Sequence, residues 1–327
     1  VLNYKFKTYS IIDEDERYNE EKNILKTIKD TKCDYELITL RKSNFIDKLK
    51  KLVEYHDSPV STISYFIHSM ISERASRDGY KVIMSGTGAD EIFSGYYDHF
   101  LYFLKEIYKK KTFNKNLIQW EKHIKKLLRN KSLKDLDSFL KEDSYRDYLY
   151  DSWEKNLSFL KNKKKSGFCE KVLFKDSLKN RMYNEMFYEI VPVILHEDDL
   201  NSMMNSIENR SPFLDRKLYE YALSIPTEFL MSNAFNKYIL RESMKGLVSE
   251  GIRCDRQKKG FNASLNSMLD LKKPEIKDFF LDSKSAISEI VNLKKLSKMF
   301  DKDVFDNSSN KFLFSFMNCK IFLDKFN

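Results

Sequence analysis

Glycine and proline are scarce in this chain, at 8 and 5 of its 327 residues. Their scarcity excludes collagen-like, linker-dominated and turn-rich all-β architectures. No apolar run approaches the roughly 18 residues of a membrane-spanning helix, so no membrane partner is expected. The start, Val1-Leu2-Asn3-Tyr4-Lys5, carries neither an initiator methionine nor the apolar core of a signal peptide. It reads as the start of a fragment or a processed product. The four cysteines, Cys33, Cys169, Cys254 and Cys319, form no C-x-x-C pair. A zinc site or disulfide scaffold is therefore not expected, and a reducing cytoplasm fits best. None of the five histidines, His56, His68, His99, His123 and His196, stands at metal-ligand spacing from another. They are read as structural.

What is present is apolar mass and charge of both signs. Hydrophobic residues make up 42% of the chain, with 25 Phe and 19 Tyr. That is enough apolar area to fold, and it rules out global disorder. Lys and Arg number 58 against 49 Asp and Glu, giving a formal charge of +9. A basic balance suits a nucleic acid or a polyphosphate ligand; a solvated, lysine-rich surface gives the same total. Few breakers and abundant Lys, Leu and Ile favour long helices.

Residues 1–110 alternate strand and helix signals. Strands are expected at 6–12, 35–40 and 81–84, and helices at 19–31, 45–53 and 62–77. Strands separated by helices imply crossover connections and a parallel sheet. Residues 111–327 read as an all-helical part, with helices at 117–129, 133–140, 183–195 and 237–247 and no convincing strand. A further helix is expected at 102–111, and a charged loop at 161–167.

The most informative segment is Ser85-Gly86-Thr87-Gly88-Ala89-Asp90-Glu91, directly after the third strand. In a parallel sheet, ligands bind at the C-terminal ends of strands. Two glycines let the backbone approach a ligand closely. Asp90 offers a carboxylate oxygen to Mg²⁺. The alternative is a tight turn with a capping box, Thr87 as N-cap and Asp90 three residues on. The run matches neither the Walker P-loop nor the Rossmann fingerprint.

Three further segments each carry two readings. Lys237 and Arg241 are four apart and share a helix face; they stabilise a charged transition state or belong to a solvated face. Arg256-Gln257-Lys258-Lys259-Gly260-Phe261 closes over a polyphosphate or is an ordinary basic loop. In the run from Ser202 to Asp215, Pro212 stops a helix. There, Arg210, Asp215 and Arg216 form an ion-pair knot, or Glu208 moves a proton in a cleft.

In this order, the four segments resemble the synthetase domain of asparagine synthetases. That family's Ser-Gly-x-Gly-Ser/Ala-Asp-Glu-x-Phe-x-Gly-Tyr resembles residues 85–96. Its Ser-Met-x-x-x-x-Glu-x-Arg-x-Pro-Phe-Leu-Asp resembles 202–215. Its Lys-x-x-Leu-Arg resembles 237–241, and its Arg-x-Lys-x-Gly-Phe resembles 256–261. The resemblance runs from about residue 5 to about residue 265.

The resemblance implies an adenine-nucleotide α-hydrolase-like (pyrophosphatase-type) α/β unit whose first strand lies outside this sequence, followed by the helical part. It implies amide formation with ATP and Mg²⁺: a carboxylate attacks the α-phosphate, pyrophosphate leaves, and ammonia then displaces AMP. Ser85, Gly86 and Thr87 contact the nucleotide, Ile11 lines the adenine side, and Asp90 binds Mg²⁺. Lys237 neutralises charge at the α-phosphate, Glu208 is a catalytic candidate, and Lys258 and Lys259 meet the leaving pyrophosphate. The partners implied are a small-molecule carboxylate and ammonia from a glutaminase domain, with no nucleic acid; a homodimer is an open expectation.

The chain departs from the family pattern in several places. The pyrophosphate loop Ser-Gly-Gly-x-Asp-Ser, which precedes the strand at 6–12 in the family, and the glutaminase domain are absent from this sequence. Thr87 stands where many relatives have Glu, and Leu200 where relatives often have a basic residue. The last two suit a carboxylate other than aspartate, such as a sugar uronate of a surface polysaccharide. A degenerate, non-catalytic binding module on the same fold is the remaining alternative.

Overall fold

The computed structural model of the chain describes residues 6–142, 145–150, 153–163, 168–257, 263–301, 305 and 307–327. It is an α/β structure with two small parallel sheets. Strand β1 (Lys7–Ile12) pairs with β2 (Asp34–Thr39), in register from Lys7 opposite Asp34 to Ile12 opposite Thr39. The Glu21–Thr31 helix makes the crossover between them. Strand β3 (Val82–Met84) pairs in parallel with β4 (Glu208–Arg210), Val82 opposite Glu208 and Met84 opposite Arg210. No strand was expected beyond residue 110. β4 escapes pattern reading because Glu-Asn-Arg shows no apolar alternation and is only three residues long.

Among the described residues, no strand pairing joins β1 to β3. The two sheets nevertheless meet near the start of β3. The Tyr9 hydroxyl donates to the Asp78 carboxylate at 2.8 Å, and the Tyr9 and Tyr80 rings meet edge to face at 6.1 Å. Lys7 reaches the same Asp78 at 2.5 Å. The other end of β3 is bare, with Met84 73% exposed.

Two apolar cores hold these strands. The Phe45–His56 helix buries Phe45, Leu49, Leu52, Val53 and His56, a stripe of one helix face. This stripe and the Ile63–Arg77 helix pack on the C-terminal segment, including Phe280, Leu296, Leu313 and Met317. The Asn307–Phe326 helix belongs to the same core, and its Asn318 Oδ1 accepts the Val60 amide at 3.2 Å. The second core gathers Leu101, Tyr102, Trp120, Phe139, Leu178 and Leu230 from the helices between β3 and β4 and just after β4. Apolar packing thus ties the last 60 residues back to the α/β part.

The helix expected at 183–195 is interrupted. Helix Ser177–Asn184 passes into a π-helical turn at Glu185–Glu189, and helix Val191–Met203 follows. Pro192 lacks an N–H and its ring crowds the carbonyl four residues back, so the spacing opens there. The Ile190 amide accordingly bonds the Glu185 carbonyl, five residues back, at 3.0 Å. No helix among the described residues is long and apolar enough to cross a membrane. Part of the expected charged loop, residues 164–167, lies outside the described residues.

Candidate functional site

The site lies where β3 and β4 end. The Ser85 amide donates to the Arg210 carbonyl at 2.9 Å, carrying the ladder one residue beyond the strands. The Ser85 hydroxyl then lies 3.0 Å from the Thr87 hydroxyl and 3.0 Å from the Ser211 hydroxyl. Three neutral donor–acceptor groups therefore converge, one of them, Ser211, from the residue just after β4. Nothing lies within 4 Å of where a Cβ on Gly86 would stand, so the backbone there is open to a ligand. Gly88 sits at φ +93, and a Cβ on it would collide with Leu214. The alternative capping box does not form. Gly88, not Thr87, precedes the short Ala89–Phe93 helix, without a side-chain cap, and the Thr87 hydroxyl is taken by Ser85.

Asp90 and Lys237 are brought together. Lys237 Nζ lies 2.7 Å from Asp90 Oδ1, with the two side chains 26% and 29% exposed. Lys237 and Arg241 do not act as one cationic face. Lys237 stands at φ +51, just before the Tyr238–Ser243 helix. Arg241 turns back, donating to the Asn236 carbonyl at 2.8 Å and the Arg253 carbonyl at 2.6 Å.

Behind this pair is a buried set of charges that sequence reading missed. Glu91 is buried and accepts from the Tyr96 hydroxyl. Burial pushes the Glu91 carboxyl up, with Asp90 and Glu185 adding to it and Tyr96 opposing. The Tyr96 ring meets His99 edge on at 5.2 Å, and His99 Nε2 lies 2.8 Å from the Glu185 carboxylate. Burial disfavours the charged His99, but the Glu185 charge and hydrogen bond, with Asp98, outweigh it and raise its pKa. Arg181, 2% exposed in its side chain, meets Asp98 at 3.3 Å, Glu185 at 3.0 Å, Glu170 at 2.9 Å and Glu189 at 2.5 Å. Asp98, His99 and Glu185 are close enough to share a metal ion. The Arg181 guanidinium already holds both carboxylates, so no ion is needed to balance them. The π-turn carries Glu185 and delivers Glu189 to the same guanidinium. The only signal in sequence was Arg181, Glu185 and Glu189 at four-residue steps.

The other candidates are placed as follows. Ile11 is half-buried in β1 and packs against the first core. Glu208 is exposed on β4, its carboxylate 2.8 Å from Arg210 Nε, which holds it below the usual carboxylate range. That environment favours an ion-pair role over proton transfer. The larger knot expected here is not built: Arg216 pairs with Glu220 at 2.7 Å, and Asp215 caps the Leu218 amide at 3.0 Å. Pro212 does not stop a helix but follows β4 and opens a short 3-10 turn. Lys258 and Lys259 lie outside the described residues. Their flank is anchored, because Asp13 at the end of β1 accepts the Ser264 amide at 2.9 Å and the Ser267 hydroxyl at 2.5 Å. Three histidines meet carboxylates: His56 with Glu197 at 3.5 Å, His68 with Asp198 at 2.5 Å, and His99 with Glu185.

Comparison with known proteins gives a consistent result. A family model described as Asparagine synthase matches residues 2–319. "Asparagine synthetase [glutamine-hydrolyzing] 1" of Bacillus subtilis (strain 168) is 27% identical over 247 residues, 69% of this chain and 37% of that protein. "Putative asparagine synthetase [glutamine-hydrolyzing] 1" of Methanocaldococcus jannaschii is 30% identical over 181 residues, 55% of this chain and 21% of that protein. A putative asparagine synthetase [glutamine-hydrolyzing] of Mycobacterium bovis is 26% identical over 236 residues, 69% of this chain and 36% of that protein. The chain thus spans at most 37% of the length of these relatives.

Proposed function

Because the chain belongs to the asparagine synthase family, whose model spans nearly all of it, we propose that it is the synthetase part of an ATP-dependent, glutamine-hydrolysing amidotransferase. The observation that carries the reading is the Lys237–Asp90 pair at 2.7 Å, taken with the Ser85, Thr87 and Ser211 hydroxyls that converge at the strand ends. These groups fit a nucleotide polyphosphate: an open glycine backbone, neutral hydroxyl donors and one partly exposed ammonium. Ile11, on β1 of the other sheet, is assigned to the adenine side. The carboxylate oxygen of Asp90 is the hard donor that Mg²⁺ prefers, and the ion would add positive charge at the pyrophosphate. Lys258 and Lys259 are assigned to that same leaving group.

In this reading a substrate carboxylate oxygen attacks the α-phosphorus, and the bond to pyrophosphate breaks. Lys237 offsets the negative charge that builds on the phosphoryl oxygens. Ammonia from glutamine hydrolysis then attacks the acyl carbon, and AMP leaves. The two half-sheets support a further expectation. A parallel strand from elsewhere in the protein, bearing the pyrophosphate loop, lies between β1 and β3 and covers the bare end of β3. The unit is then an adenine-nucleotide α-hydrolase-like fold.

A second reading concerns the acid. The neutral hydroxyls at Thr87, Ser85 and Ser211 offer no negative charge to an amino-acid ammonium. They favour a hydroxylated acid, such as a sugar uronate, over aspartate. The test is exchange of labelled pyrophosphate into ATP by the complete protein, with aspartate and uronic acids supplied one at a time. Exchange dependent on one acid is expected. No exchange with any acid would favour a non-catalytic binding module.

A further inference from the structure

We propose that Asn236 is a positioning residue whose side-chain amide seats Lys237 against Asp90. Its catalytic consequence rests on the adenylation reading above; its structural half does not. Asn236 is 6% exposed and spans two segments far apart in the chain. Its Nδ2 donates to the Gly95 carbonyl at 2.7 Å. Its Oδ1 accepts from Arg241 Nη2 at 3.0 Å, while its own carbonyl accepts from Arg241 Nε at 2.8 Å.

Both ends of this bridge touch the ion pair. The Gly95 amide donates to the Asp90 carbonyl at 2.7 Å. A Cβ on Gly95 would collide with the Asp90 carboxylate, so that carboxylate lies directly on the Gly95 backbone. At the other end, the residue after Asn236 is Lys237. Asn236 therefore fixes the surface on which Asp90 rests and the backbone from which Lys237 reaches it.

The local backbone needs such a fixture. Asn233, Ala234 and Lys237 stand at φ 51, 59 and 51. Left-handed conformations cost non-glycine residues roughly 1–2 kcal/mol each and persist where surrounding contacts over-determine them. Arg241 supplies those contacts through its two bonds to Asn236 and its third, to the Arg253 carbonyl at 2.6 Å. The Arg256 guanidinium covers Phe235 at 3.8 Å. An amide is the group this position requires. It donates to a carbonyl on one side and accepts from a guanidinium on the other, and no carboxylate does both while ionised.

The test uses Asn236→Asp in the complete protein. This variant keeps the size and the acceptor facing Arg241 but turns an oxygen towards the Gly95 carbonyl. The first readout is amide hydrogen exchange in peptides covering Gly95 and residues 236–241. Exchange about tenfold or more faster in both is expected, with global unfolding little changed. The second readout is pyrophosphate exchange. A kcat lowered about tenfold or more is expected, with the KM for ATP moved by less than about threefold. Should Asn236→Asp fold poorly, Asn236→Ser takes its place with the same two readouts. Unchanged hydrogen exchange overturns the bridge. Faster hydrogen exchange with kcat within about twofold of the parent overturns the positioning role. Absence of pyrophosphate exchange in the parent protein would contradict the adenylation reading, and hydrogen exchange would still decide the bridge.

Discussion

The Lys237–Asp90 pair and the Arg181 cluster begin eight residues apart, at Asp90 and Asp98, yet they are built on opposite plans. Arg181 is almost completely buried and meets four carboxylates. Lys237 and Asp90 keep about a quarter of their side-chain surface in solvent. In low dielectric, charges that must stay put need several partners, because an uncompensated buried ion is costly. A pair that must exchange its partners for a phosphate or a metal ion has to remain accessible. The two are joined through Glu91, which neighbours Asp90 in sequence and feels both Asp90 and Glu185. The buried cluster is thus the base behind the working pair, reached from Glu91 through Tyr96 and His99.

Breaking the base should have the largest effect. Arg181→Met leaves Asp98, Glu170, Glu185 and Glu189 without their shared cation. A loss of about 3–5 kcal/mol in denaturant unfolding is expected. A loss below about 1 kcal/mol would mean that the acids are not held as ionised groups. Breaking the working pair should be nearly as large in rate but small in stability. Lys237→Ala should lower pyrophosphate exchange by about 10²–10³-fold while changing stability by less than about 1 kcal/mol. Retained exchange would remove Lys237 from the mechanism.

The smallest effect sharpens the comparison through pH. His99 has its pKa raised above the ordinary value in the folded state. Its contribution to stability is therefore complete below about pH 6.5 and is lost as pH rises through the folded value. Urea midpoints measured from pH 6 to pH 9 should fall on the alkaline side in the parent. His99→Gln should flatten that fall. An identical slope in both proteins would show that folding does not raise the His99 pKa.

The parts that could be read from sequence are those with local signals. β1, β2, β3 and the Phe45–His56 and Ile63–Arg77 helices lie within three residues of their expected bounds. Each carries a periodic apolar pattern or a short apolar run. Asp90 and Lys237 were both singled out, but their contact joins segments 147 positions apart and no periodicity shows it. β4, Ser211, Asn236 and the Arg181 cluster were missed for the same reason. Each is a short polar element whose meaning lies in a distant partner. The π-turn was foreshadowed by Pro192 alone, inside a run whose residues otherwise read as one helix.

The central claim is that this site activates a carboxylate by adenylation. It is tested most directly by supplying the complete protein with ATP, an ammonia source and the accepted acid carrying ¹⁸O in its carboxylate. The account predicts that AMP acquires one ¹⁸O atom, because the bond broken by ammonia leaves that oxygen on phosphorus. ADP with label in inorganic phosphate, or AMP formed without label, would contradict it.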